Sequence, residues 1–206
     1  MTFQLVEHPL VQHYLTRLRD RDTPPDQFRE FSDRIITLLL YEATRDLRSR
    51  IFPIQTPLEE TDGHTIADRV VAVPILRAGL GLLGPVLELL PEVTVGYIGL
   101  ERDERTAVAS RYYVKLPPDI RGKTVMILDP MLATGGTARK AVEILKEYQP
   151  ASVRLVCVVA APEGIAALEE AYPDVMVFAA ARDRQLNGQK YIMPGLGDYG
   201  DRLFGT

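Results

Sequence analysis

One aspartate, Asp129, closes the apolar run Val125-Met126-Ile127-Leu128, and shortly after it comes the bend Ala133-Thr134-Gly135-Gly136-Thr137. Glycines let a backbone approach an anion closely, and the free N–H groups at the start of a helix point at it. The helix dipole adds about 0.3–2 kcal/mol for a negative group placed there. Thr134 and Thr137 bring hydroxyl groups to the same oxygens. No lysine stands in the bend and the spacing G-x-x-x-x-G-K-[ST] is not met, which excludes the phosphate loop of nucleoside triphosphatases. The pattern suits a phosphate monoester, with Asp129 positioned to accept hydrogen bonds from neighbouring sugar hydroxyls. An ordinary turn and helix N-cap would use the same residues.

A second stretch competes for a phosphate-bearing ligand. Gly79-Leu80-Gly81-Leu82-Leu83-Gly84 satisfies G-x-G-x-x-G, follows an apolar strand pattern, and precedes a segment ending at Glu101. That is the layout of a nicotinamide-dinucleotide site, and with it an NAD-dependent oxidoreductase. Against it, Pro74 and Arg77 fall between the strand and the first glycine, and Pro85 interrupts the helix that should follow. The tail repeats the pattern at Gly195, Gly197 and Gly200, with six residues remaining and no room for a helix of the required length. The motif therefore discriminates poorly in this chain.

The elements that must carry these residues alternate. Apolar periodicity predicts helices over 9–20 and 26–49, the second started by Pro24-Pro25-Asp26 and carrying Phe28, Phe31, Ile35, Leu38 and Leu39 on one face. From Ile51 to about Ala67 the pattern is strand, proline and loop. Beyond it, strands are expected at 69–76, 93–100, 124–128, 153–160 and 175–181, with helices at 80–90, 137–148 and 163–171. The strands are continuously apolar, as expected where both sheet faces are covered. Strands alternating with helices predict an α/β fold with a mainly parallel, doubly wound sheet, whose ligands sit outside the carboxyl ends of the strands. Glu101–Tyr113, ERDERTAVASRYY, breaks the pattern and reads either as a solvated loop or as a lid.

The totals bound the partners. The chain has 206 residues, which suits one domain, and 24 Lys and Arg against 28 Asp and Glu give a net charge of −4. That balance does not advertise a nucleic-acid partner. No apolar run approaches the ~18 residues that span a membrane, and MTFQLVEHPL lacks the layout of a secretion signal. The single cysteine, Cys157, lies in the apolar run RLVCVVA and suits a reducing, cytoplasmic compartment. His8, His13 and His64 show no metal-ligand spacing, so no protein-borne metal site is expected.

LDPMLATGGT at 128–137 resembles the phosphoribosyl-pyrophosphate (PRPP) motif of the type I phosphoribosyltransferases. Most of that superfamily has two adjacent acids here, whereas Asp129-Pro130 is similar to the variant of the uracil phosphoribosyltransferases. VEHPLVQHYLTRLRD, VPILRAGLGL, VVAAPEGIAALE and the tail YIMPGLGDYGDRLFGT also resemble that family, so the likeness runs over essentially the whole chain. It implies one type I phosphoribosyltransferase domain over 1–206, with a helical N-terminal region at 1–50 and a base-binding tail, a small C-terminal hood, at 182–206. By the same resemblance Arg77 and Arg102 would meet pyrophosphate. Asp129, Pro130, Met131, Leu132, Ala133, Thr134, Gly135, Gly136 and Thr137 would hold ribose and its 5′-phosphate. Ile192, Gly197, Asp198 and Tyr199 would form the uracil site, with Asp198 also facing PRPP; Arg77, Arg102 and Asp198 are the expected catalytic groups. The family usually has a small residue where this chain has Tyr199, so contact there must come from backbone if the base is to fit.

The activity so implied is uracil plus PRPP giving UMP and diphosphate, a step of pyrimidine salvage. Mg²⁺ would be bound mainly through the pyrophosphate of PRPP. Some members of the family respond to GTP, and nothing in these residues decides that here. A PRPP- or nucleotide-sensing, RNA-binding regulator could use the same scaffold, though it should show a basic face. The apolar faces of the N-terminal helices suggest a homodimer or higher homo-oligomer.

Overall fold

Strands covered on both faces are built mainly of apolar residues, and such strands form the centre of this fold. The computed structural model describes residues 2–102 and 109–206. The chain starts with strand β1 (Thr2–Leu5), helices α1 (Pro9–Arg19) and α2 (Pro25–Ala43), and the hairpin arms β2 (Ser49–Gln55) and β3 (Glu60–Ile66). Strand β4 (Val70–Leu76) leads through a 3-10 turn (Ala78–Leu82) to α3 (Leu83–Leu89), then β5 (Thr94–Val95), β6 (Tyr97–Arg102) and β7 (Ala109–Lys115). The second half runs β8 (Thr124–Leu128), β9 (Met131–Leu132), α4 (Gly136–Lys146), β10 (Ser152–Ala160), α5 (Pro162–Ala171) and β11 (Met176–Arg182). The tail adds β12 (Gln185–Leu186), β13 (Ile192–Met193) and α6 (Tyr199–Phe204).

The main sheet has the order β1-β11-β10-β8-β4-β6-β7, parallel except for the β6–β7 pair. Alternate residues of the central strands point to opposite faces. Ala72, Met126, Leu128 and Val156 join a core with α1, α2, α3 and α6. Val71, Val73, Val125 and Ile127 join a second core with α4 and α5. The expected doubly wound sheet is therefore present, and strand 124–128 falls where periodicity placed it.

Three expectations need correction. The N-terminal region is not helical throughout, because Thr2–Leu5 forms an edge strand paired with Met176–Ala179 of β11. The second helix ends at Ala43 rather than 49. What stops it is tertiary: buried Arg154 of β10 donates to the Ala43 carbonyl and pairs with Asp46 at 2.6 Å. Segment 93–100 is two strands, broken where Gly96 donates to the Ala72 carbonyl at 2.9 Å. Among the described residues no helix is long and apolar enough to cross a membrane.

The register of β4 locates the ligand edge. Val70 to Pro74 pair with Thr124 to Leu128 of β8, but Ile75 and Leu76 pair with Ile98 and Gly99 of β6. On the other side, Met131 and Leu132 pair with Val159 and Ala160 of β10. Beyond the Pro74–Leu128 pair the two strands therefore part, β4 toward β6 and β8 toward β10. Pro74, which has no N–H to offer a ladder, stands at this divergence. The crossovers leave in opposite directions from the same point, so this is the topological switch of the sheet, where sheets of this winding carry their ligands.

Candidate functional site

Arg77 follows β4 directly and is exposed at the mouth of the crevice. The 3-10 turn after it folds back over the parting strands. A Cβ on Gly79 would lie 2.2 Å from the Leu128 carbonyl oxygen, and one on Gly81 would lie 2.2 Å from Leu203 of α6. Both glycines thus serve close packing between the turn, the end of β8 and the tail. Nothing lies within 4 Å of a Cβ on Gly84, whereas the third glycine of a dinucleotide fingerprint is there for tight helix–strand contact. Packing accounts for Gly79 and Gly81, and Gly84 lacks the contact that the fingerprint requires.

Across the crevice, Asp129 is half-buried; its N–H donates to the Val156 carbonyl at 3.2 Å, and its Oδ1 accepts from the Met131 N–H at 3.5 Å. Burial, and next the charge of Asp129, push the Cys157 thiol far up. Pro130 is buried, and its carbonyl accepts from Val158 at 2.9 Å and Val159 at 3.2 Å. Met131 and Leu132 are held in β9, with the Leu132 side chain in the core. These three residues can meet a ligand mainly through what their backbone leaves open.

The bend itself has the form an anion needs. Gly135 caps α4 with φ +78°, the left-handed region that glycine enters without penalty. Thr134 Oγ1 accepts from the Gly136 N–H at 3.4 Å, and Thr137 is half-buried in the first helical turn. Behind the bend stands Gly164, in the first turn of α5. A Cβ there would lie 2.3 Å from the Ala133 carbonyl oxygen and 2.9 Å from that of Leu132. Gly164 is a site-shaping residue that sequence periodicity did not single out; the glycine just inside a proline-started helix was its one signal.

The tail closes the crevice from the side of α1 and α2. Ile192 is buried in β13, Gly197 (φ +85°) and Asp198 are exposed, and Asp198 caps α6 by accepting from the Asp201 N–H at 2.9 Å. Tyr199 resolves the question its size raised. Its side chain is 1% exposed, hydrogen-bonded to Ser32 of α2, and edge-on to Phe28 with ring centroids 5.1 Å apart. The ring is thus turned into the core, and only the backbone of Tyr199 is available to a base. A Cβ on Gly200 would come within 3.6 Å of the Ala78 side chain and 3.4 Å of Asp198 Oδ1, so tail and 3-10 turn adjoin.

Arginines from three elements tie the tail down, and spacing along the chain revealed none of them. Arg29 donates to the Leu203 carbonyl at 2.9 Å. Arg202 donates to the carbonyls of Leu18, Leu196 (2.8 Å) and Asp20 (2.6 Å), and its guanidinium lies 4.5 Å from the centre of the Phe28 ring. Arg19 pairs with Asp183.

Arg102 is the last residue of β6, paired with Ala109 of β7 at the same edge of the sheet as Arg77. Residues 103–108 of the charged segment lie outside the described residues. Two concavities of about 280 and 330 Å³ lie at the opposite, amino edge, around Val70 and Thr124. Sheets of this winding do not carry their ligands there.

A crevice at the switch point, an anion-shaped bend on one side and a glycine-rich tail on the other restrict the families that fit. The sequence profile of the uracil phosphoribosyltransferases matches residues 5–206. The chain belongs to the uracil phosphoribosyltransferase family. Its relatives include the uracil phosphoribosyltransferase of Lacticaseibacillus paracasei, 51% identical over 99% of this chain and 98% of that one. That of Rhodococcus opacus is 49% identical over 100% and 99%. Among solved structures, the AQ2163 protein of Aquifex aeolicus superposes with a TM-score of 0.95 at 37% identity, covering 100% of this chain and 99% of that one. A hypoxanthine-guanine phosphoribosyltransferase of Bacillus anthracis superposes with a TM-score of 0.53 at 13% identity, covering 77% of this chain and 80% of that one, a likeness of fold. The fold is that of the type I phosphoribosyltransferases, and the family is one of pentosyl-transferring enzymes.

Proposed function

We propose that this chain transfers the phosphoribosyl group of PRPP to uracil, giving UMP and diphosphate, in pyrimidine salvage. The observation that carries the reading is adjacency. The turn after Arg77 meets the end of β8 through Gly79 and the tail through Gly200, and the bend at 133–137 follows β8 at the same carboxyl edge of the sheet. In this reading the N–H groups and hydroxyls of Thr134 to Thr137 hold the 5′-phosphate. Asp129 accepts from the ribose hydroxyls, and Arg77 and Arg102 meet the pyrophosphate. Breaking the C1–oxygen bond builds oxocarbenium character on the sugar and charge on the leaving group, and cations fixed beforehand stabilise that charge.

Among the described residues no three His, Cys, Asp or Glu side chains converge. Mg²⁺ commonly keeps one or two carboxylates and takes its other ligands from substrate phosphates and water. Asp129 or Asp198 would supply such a carboxylate, while the ion would be held mainly through the pyrophosphate of PRPP and would neutralise its charge.

Uracil offers an acceptor at O4 and a donor at N3, and cytosine reverses both. The backbone groups of Ile192, Gly197 and Tyr199, with Asp198, would read that edge. PRPP consumption measured with uracil and with cytosine in turn, with and without Mg²⁺, tests the assignment. Uracil should support Mg²⁺-dependent turnover, and cytosine should fall by at least about 10²-fold because buried polar groups would be left unpaired. Comparable rates with both bases would refute backbone readout.

A homodimer belongs to the same proposal, though not for the reason the helices suggested. Phe28, Ile35 and Leu39 are spent on the chain's own core. The support comes instead from the β2–β3 hairpin, which among the described residues pairs only with itself and exposes Ile51, Ile54, Leu58 and Ile66. A lone two-stranded hairpin is marginal in water, and exposed apolar clusters mark contact surfaces. Sedimentation should give at least twice the chain mass at micromolar concentration, and a persistent monomer would remove this part.

A further inference from the structure

The residues proposed to read the base fall into two groups, Ile192 before the Met193-Pro194-Gly195 corner and Gly197 to Tyr199 after it. Their spacing depends on that corner. Gly195 has φ +65°, and a Cβ on it would lie 2.2 Å from the Ile192 carbonyl oxygen, so the corner is as tight as glycine allows. Both backbone groups of Gly195 are held by one ion pair. Its N–H donates to Asp183 Oδ2 at 3.0 Å, and its carbonyl accepts from the Arg19 guanidinium at 2.7 Å. Arg19 in turn grips both oxygens of Asp183, at 3.0 and 2.5 Å.

The pair is built for position. The Asp183 side chain is 3% exposed and that of Arg19 25%. A carboxylate so buried is costly without its partner, which keeps the two together. A guanidinium offers donors in a rigid planar fork, so the pair fixes direction as well as distance. Asp183 is itself anchored where β11 ends, its N–H donating to the Ala160 carbonyl at 2.8 Å, and Arg19 closes helix α1. The corner is thus referenced to two rigid elements, while Arg29 and Arg202 hold residues further along the tail.

We infer that the Arg19–Asp183 ion pair is a positioning device of the base site: it sets the Gly195 corner, and through it the distance between Ile192 and the Gly197–Tyr199 backbone. The inference rests on the tail being the uracil site. It gives helix α1 a part in base affinity, although α1 supplies none of the residues assigned to either substrate.

The test is steady-state kinetics of Arg19→Ala, Arg19→Lys and Asp183→Asn beside the wild type. Each substrate is varied against saturating partner, with thermal melts of every variant. For Arg19→Ala, KM for uracil should rise about tenfold or more while KM for PRPP stays within about twofold. Arg19→Lys should recover only part of the loss, because an ammonium cannot serve both acceptors with a planar fork. Should Arg19→Ala not fold, Arg19→Lys and Asp183→Asn carry the same comparison, with a selective rise in KM for uracil expected in both. Equal changes in the two KM values, or a lowered Tm with both KM values unchanged, would overturn the inference and leave the pair a purely structural role. Wild-type protein that consumes PRPP without using uracil would overturn the base-site reading beneath it as well, and is recognised before any variant is made.

Discussion

Arg77→Ala is expected to lower kcat/KM for PRPP by about 10²–10³-fold, the loss typical when a preorganised electrostatic group is removed from developing charge. The argument starts from place. Arg77 is the first residue beyond β4, where that strand turns away from β8 and the crevice opens. Its side chain is exposed, and among the described residues no carboxylate pairs with it. A cation left unpaired at a ligand edge contributes little to folding, so the melting temperature should move by no more than a degree or two for a surface change of this kind. In the proposed reading its target is the leaving pyrophosphate, whose charge would grow as the C1–oxygen bond breaks. The deficit should therefore appear in kcat as well as in KM for PRPP, with KM for uracil nearly unchanged. Initial-rate kinetics over both substrates read all three quantities. Wild-type values throughout would remove Arg77 from the site.

The parts of this fold that could be read from sequence are those whose cause is local. Strand 124–128 and the helix after Gly135 were legible because an unbroken apolar run, a glycine pair and a 3.6-residue period lie together in one short stretch. The sheet class followed from repetition of that unit. What escaped was decided at a distance. The end of α2 at Ala43 is marked by no glycine or proline; it is marked by Arg154, 111 residues later, reaching the helix's last carbonyl. Strand β1 escaped because four residues at a sheet edge, Thr2–Leu5, carry too little pattern to separate from a helix start.

Glycines show the same division within the site. Sequence says that backbone must come close to something at 79, 81 and 84, and a dinucleotide was a fair candidate. What actually meets Gly79 and Gly81 is the Leu128 carbonyl and Leu203, both set by tertiary structure. Tyr199 is the converse case, for a bulky residue beside Asp198 suggested intrusion on the base. The direction of its ring depends on Ser32 and Phe28, which lie more than 160 residues earlier. The tail residues proposed to bind uracil were legible by family likeness, whereas the arginines that hold the tail still were not.

The supporting layer behind the bend at 133–137 should be as sensitive as the bend. Gly164→Ala adds one methyl group, and no flexible side chain stands in its way that could yield. The new Cβ would sit 2.3 Å from the Ala133 carbonyl oxygen, 2.9 Å from the Leu132 oxygen and 3.0 Å from the Ala133 carbonyl carbon. Those atoms are main chain, and the Leu132 carbonyl already accepts from the Ala161 N–H at 2.8 Å. Either α5 retreats, which also moves Gly135, whose own Cβ position lies 2.9 Å from the Gly164 carbonyl oxygen, or residues 132–134 shift into the crevice. Both routes displace the N–H groups proposed to hold the 5′-phosphate. A misplacement near 1 Å can cost about 10²-fold in rate, and overpacking costs about 1–3 kcal/mol of stability. The expected result is a fall of about 10²-fold in kcat/KM for PRPP, with Tm lowered by several degrees and the fold retained by circular dichroism. Gly122→Ala is the control: that glycine, unlike Gly164, has nothing within 4 Å of its Cβ position, and its φ of +73° charges the substitution with backbone strain alone, far from the crevice. If Gly164→Ala loses only what Gly122→Ala loses, the contact behind the bend has no part in holding phosphate.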